Sequence, residues 1–245
     1  MKRLFYPLAL GLLVAAGCSK DKNEPEAKPV LDGEYQVSNT LVAAPITMYT
    51  KDGPVSNQAL IDRFLSRRTW AVSLFSRTNT PIPTTSSLAV VIKGNNRAYF
   101  ISTAPGASRS DTLKTDITAQ QAKYAVCTER DSISVLTSTN ATGRCDVLTG
   151  QMQAELPVKR CVPLSMATGY SRQCRFRPVR VLKIDAGQLF IPQLSWLVQS
   201  GQTPYGTCGF ASSGAWNVFN TGVLSQLTAG DTIVVQERTI ALLKK

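Results

Sequence analysis

Six cationic side chains crowd one stretch of the chain: Lys159, Arg160, Arg172, Arg175, Arg177 and Arg180, with no Asp or Glu among them. A guanidinium grips phosphate, sulfate or carboxylate through two parallel N–H bonds, so the chemistry on offer is anion binding. Pro163 and Pro178 disfavour regular structure inside the stretch, and Gly169 loosens it further. The expectation is an exposed basic loop over 159–180 that holds a polyanion through salt-sensitive contacts. The alternative is a solvated surface carrying ordinary arginines.

The chain contains no His. Ser-His-Asp and Cys-His catalysis are thereby excluded, and the commonest zinc ligand is absent. With no C-x-x-C pair, a structural zinc site is not expected either. The S-x-x-K spacing at Ser19–Lys22 falls in a charged segment and is read as chance. A pair of carboxylates acting on a glycan stays open, because spatial pairing is invisible in spacing. Trp70, Trp196 and Trp216 with Tyr205 can stack on sugars, but filling a β core is the expected use of the tryptophans. No metal or other cofactor is expected.

Besides Cys18, the cysteines are Cys127, Cys145, Cys161, Cys174 and Cys208, an odd number that leaves one over when the rest pair. Joining sequence neighbours gives Cys127–Cys145 and Cys161–Cys174 as the expected bonds, with Cys208 left over. A bond between Cys174 and Cys208 is the second choice. A Cys161–Cys174 bond would constrain the basic loop and reduce the entropy lost on binding.

The compartment is written at the N-terminus. Met-Lys-Arg precedes the apolar run Leu4–Ala16, which is shorter than the ~20 residues needed to span a bilayer. The run ends Val14-Ala15-Ala16-Gly17-Cys18. That ending resembles the lipobox of bacterial lipoproteins, with Ala15 where the family usually has Leu. The resemblance implies a signal peptide over 1–17 and a lipid-carrying Cys18. Residues 18–30 are charged, contain two prolines and lack aromatics, so they read as a flexible tether. Ser19-Lys20-Asp21 with Glu24 and Glu26 resembles the charged signal that sends some Gram-negative lipoproteins to the outer face of the outer membrane; the periplasmic face is the alternative. Losing Lys2 and Arg3 with the signal lowers the net charge from +11 to +9. A basic balance suits an anionic glycan or lipopolysaccharide. Nucleic acid is not expected, because no binding motif accompanies the charge.

Residues 31–245 read as one β-rich domain. Leu88–Lys93 and Ala98–Ser102 flank Gly94-Asn95-Asn96, and Val179–Ile184 and Gln188–Ile191 flank Asp185-Ala186-Gly187, as two hairpins. Further strands are expected near Tyr35–Val42, Ile46–Thr50, Trp70–Phe75, Ser132–Leu136, Trp216–Phe219, Thr232–Glu237 and Thr239–Leu243. One short amphipathic helix is expected at about 56–67, capped by Ser56 and burying Leu60, Ile61, Phe64 and Leu65. Ala119–Cys127 is a candidate for a second. The fold class is all-β, mainly antiparallel, a β-barrel or a β-sandwich. Gly33-x-Tyr35 after Leu31 faintly resembles the Gly-x-Trp opening of lipocalin-like barrels, without the Trp. The functional expectation is a lipid-anchored envelope protein acting as a non-enzymatic binding or accessory module, its protein partner unknown. The alternatives are a lipocalin-like carrier of a small apolar ligand and an envelope-glycan hydrolase using two carboxylates.

Overall fold

The computed structural model describes residues 30–245 apart from 83–86, 95, 104–105, 107–110, 122, 131–133, 140–143, 153–159, 164–170, 177–178 and 202–207. The strands are β1 (Gly33–Ala43), β2 (Thr47–Thr50), β3 (Gly53–Val55), β4 (Thr80–Pro81), β5 (Ser87–Lys93), β6 (Arg97–Thr103), β7 (Asp111–Gln121) and β8 (Tyr124–Glu129). They continue with β9 (Ser134–Thr139), β10 (Arg160–Pro163), β11 (Ser171–Phe176), β12 (Val179–Asp185), β13 (Gln188–Ser200), β14 (Cys208–Ala215) and β15 (Thr232–Lys244). Three α-helices join them, α1 (Gln58–Ser66), α2 (Thr69–Val72) and α3 (Arg144–Gln151), with a 3-10 helix over Thr221–Gln226.

The two long strands β13 and β15 pair antiparallel from Leu189↔Leu242 to Gln199↔Thr232 and organise the rest. At one end, β12 pairs with the start of β13 and β1 with the last part of β15. The path β1, β5, β6, β7, β8, β12 then closes an eight-stranded antiparallel barrel on that spine. At the other end, β14 takes over the free side of β13 and β2 that of β15, with β3 outside β2. The spine therefore belongs to a barrel at one end and to a five-stranded open sheet at the other. β9, β11 and β10 form a separate three-stranded sheet.

Alternation along the spine feeds three apolar clusters, as side chains on successive residues must point to opposite faces. Leu189, Ile191 and Leu242 join Val90, Phe100 and Leu182 inside the barrel. An eight-stranded barrel is just wide enough for side chains to fill, and here they do. Past the barrel, the same face carries Leu197 and Val234, covered by Ile61 and Leu65 of α1 and Ala71 of α2. The opposite face carries Leu194, Val198, Ile233 and Val235, covered by Leu148 of α3, Met152 and Val223. Both faces of the spine are thus covered, and β13 is buried or partly buried at every position after Gln188.

Several expectations are corrected. The first helix is capped by Asn57, whose side chain accepts from the Leu60 backbone N–H, not by Ser56. Its buried stripe is Ile61 and Leu65, while Leu60 is exposed. Trp70–Phe75 is not a strand: it opens with α2, whose turn Arg68 and Ala71 backbone groups close. Ala119–Cys127 is not a helix but parts of β7 and β8. Thr232–Glu237 and Thr239–Leu243 are one strand, and Trp216 is the turn residue that follows β14 instead of starting a strand. The hairpins β5–β6 and β12–β13 form as read, the latter through Ala186 and Gly187, both at positive φ.

Cys127 does not bond Cys145. Cys127 points from β8 into the barrel core, whereas Cys145 of α3 lies in the core on the far face of the open sheet, where it bonds Cys208 of β14. That bond closes 63 residues and by chain-entropy reasoning adds about 4 kcal/mol. Cys127 is a buried free thiol, pushed up to about 12 by burial, against weaker opposing pulls from Thr115 and Arg180. β10 and β11 place Cys161 directly opposite Cys174 in register.

Asp231 fastens α3 to the foot of β15. Its carboxylate accepts from Arg144 Nε at 3.0 Å and Nη2 at 2.6 Å, and from the Thr228 backbone N–H and hydroxyl at 2.8 Å each. Burial alone would raise its pKa; these bonds, with one from Ser200, outweigh burial and hold it at about 2. A folded-state pKa below the unfolded one stabilises the fold above pH ~4, and that stability drains away as pH falls toward ~2. Urea unfolding of wild type and Asp231→Asn between those limits should show wild type losing about 2 kcal/mol more than the variant.

Candidate functional site

The chemistry-bearing side chains gather where the barrel gives way to the open sheet. There β12 and β14 part from the same side of β13, and Trp216 is the wedge between them. Its backbone N–H donates to the Pro192 carbonyl at 2.6 Å and its own carbonyl accepts from the Val181 N–H at 3.3 Å. A tryptophan at φ 68° is strained and persists only where its surroundings fix it. The fixing contact is the ring, packed edge-on to Phe100 inside the barrel with centroids 5.2 Å apart.

Arg180 closes this end of the barrel. Its guanidinium carbon lies 4.9 Å from the Trp216 ring centre and 5.1 Å from that of Phe100, and Nη2 is 3.2 Å from Glu129 Oε1. Both charged side chains are mostly buried. Arg180 is therefore not part of an exposed anion-binding surface: the carboxylate missing from 159–180 arrives from β8, and two rings cover the cation.

The rest of the basic stretch is not one loop. Arg160 stands on β10, and Arg172 and Arg175 on β11. The register sets Arg160 opposite Arg175 and Arg172 opposite Pro163. Lys159, Arg177, Cys18 and residues 1–29 lie outside the described residues.

One step beyond the barrel, a polar band crosses the face shared with the barrel interior. Gln236 is buried, accepting from the Ser76 N–H at 2.8 Å and donating to the Ala44 carbonyl at 2.9 Å. Beside it, Arg238 Nη2 donates to Ser195 and Ser213. Sequence reasoning passed over these residues. The available signal was a run of polar residues, Gln193 and Ser195 on β13 and Gln236 and Arg238 on β15, between apolar positions of the same face. Among the described residues, no cluster of His, Cys, Asp or Glu could hold a metal ion. No family model, curated protein or solved structure matches the chain.

Because one charge of the Glu129–Arg180 pair would be stranded in the barrel, Glu129→Gln should cost roughly 3 kcal/mol in urea unfolding. Adding Arg180→Met to it should restore a measurable part of that loss, a coupling that a double-mutant cycle reads directly.

Proposed function

We propose that the chain is an exported lipoprotein of the bacterial cell envelope, anchored through Cys18 to the outer membrane, displayed on its outer face, and working as a binding or accessory module. The observation that carries this reading is the Cys145–Cys208 bond inside a buried cluster. Such bonds persist in oxidising compartments outside the cytosol, and the lipobox-like ending at Cys18 is the matching export signal. The barrel's interior is occupied by its own side chains, which favours binding on the surface over carriage of an apolar ligand. The partner this basic chain suits is an anionic glycan or lipopolysaccharide, met by Lys159, Arg160, Arg172, Arg175 and Arg177.

The cysteines then divide into Cys145–Cys208, Cys161–Cys174 set opposite each other on β10 and β11, and Cys127 as the leftover thiol. Expressed in a Gram-negative host, wild type should pellet with outer membrane in detergent-free buffer. Cys18→Ala should be released as folded protein, and unreduced peptide mapping should return both bonds. A Cys18→Ala protein that still pellets, or wild type with all thiols reduced in the cytosol, would contradict the proposal.

A further inference from the structure

We infer that Arg238, Ser195 and Ser213 form an oxyanion-binding site at the end of the barrel, built to take the carboxylate or phosphate group of a small ligand. Arg238 Nη2 lies 2.8 Å from Ser195 Oγ and 2.9 Å from Ser213 Oγ, and the two hydroxyl oxygens are 2.9 Å apart. The hydroxyls own two hydrogens and only one can lie between them. The other has no acceptor among the described residues. Arg238 Nε is sealed from solvent without a partner. Nη1 makes no hydrogen bond among the described residues either and, unlike Nε, is not sealed off. The site therefore keeps Nη1 and one hydroxyl hydrogen free to donate, a fixed positive charge and, among the described residues, no acceptor to meet them.

The contrast with Arg180 sharpens the point. Arg180 also has a sealed Nε without a partner, but its charge is met by Glu129 and covered by two aromatic rings. Among the described residues, no carboxylate and no ring contacts the Arg238 guanidinium. The neighbouring acid, Glu237, alternates to the other face of β15 and accepts there from the Phe219 N–H. Burial works against the Arg238 charge, and a guanidinium keeps its proton, so the compensation available is an anion.

Location supplies access and rigidity. Ser195 is wholly buried on β13, and Gln193 stands directly opposite Arg238 in the register. Arg238 itself is half-buried. Inside the barrel the next residues on this face are Ile191 and Ile240; toward α1 they are Leu197 and Val234. A ligand's charged group would sit in the polar band between two apolar cores. This inference does not depend on how the chain is anchored.

The test is a titration of the purified full chain with sodium phosphate and, separately, sodium acetate, against sodium chloride at equal ionic strength. The Arg238 Nε–H resonance is followed together with the melting temperature. A saturable shift with one or both oxyanions, absent with chloride, is the expected result; phosphate alone assigns a phosphate-bearing ligand and acetate alone a carboxylate. Arg238→Lys, which keeps the charge but loses the planar fork, should weaken the response about tenfold, and Ser213→Ala about threefold. No saturable response in wild type, or an equal one in Arg238→Lys, would overturn the site and leave the cluster as a packing device. The wild-type titration decides even where a variant fails to fold.

Discussion

The pairing of β13 with β15 is the constraint on which the rest depends. Eleven consecutive register pairs run from Leu189↔Leu242 to Gln199↔Thr232 without a break. Because successive residues alternate faces, fixing this one register decides what enters the barrel, what lies under α1 and α2, and what lies under α3. A slip of one residue would exchange Leu197 and Val234 with Leu194, Val198, Ile233 and Val235, and would turn Ser195 and Arg238 into the cluster around the disulfide. Gln236 resists such a slip, since its amide is matched on both sides to backbone groups of Ala44 and Ser76.

A second constraint follows where one strand must serve two sheets. β13 and β15 have only one free edge each, so β12 must hand over to β14, and β1 to β2, partway along. On the β13 side the hand-over is made by Trp216, whose strained backbone bridges Pro192 and Val181 while its ring reaches into the barrel. On the β15 side the Ala44 N–H donates to the Glu237 backbone carbonyl and carries the chain from β1 to β2. The hand-over level is also where polar side chains interrupt the apolar face. Arg180, Glu129, Ser195, Gln236 and Arg238 all lie at or next to it, so the same geometry that divides barrel from sheet creates the place where chemistry can be held.

The barrel was legible where strands have a solvent face. β5 and β6 alternate and meet at a glycine-marked turn, and β12 and β13 meet at Ala186-Gly187, so pattern and turn chemistry agreed. Legibility failed where both faces are covered. The half of β13 from Pro192 to Ser200 alternates only over Gln193–Trp196 and then loses the period at Leu197-Val198 and Gln199-Ser200, because α1 and α2 bury one face and α3 the other. Trp70–Phe75 read as a strand because a helix as short as Thr69–Val72 shows no 3.6-residue period; its Ala71 is held by tertiary packing. The Cys127–Cys145 pairing, with Cys208 left over, failed for a related reason. Cys127 and Cys145 are near in sequence but belong to different cores, while Cys145 and Cys208, 63 residues apart, share one. Arg180 was misplaced because its partner Glu129 stands on another strand, and ionic pairing across strands leaves no trace in local composition.

If the spine makes barrel and open sheet one cooperative unit, its two ends must unfold together. Native-state hydrogen exchange reads this directly. The account predicts that the backbone amides of Ile233–Val235, in the open sheet, and of Ile240–Leu242, in the barrel, exchange only through global unfolding, with the same free energy as measured by urea. Exchange of one set at a clearly lower free energy, with the other still protected, would show two units that melt separately and would contradict it.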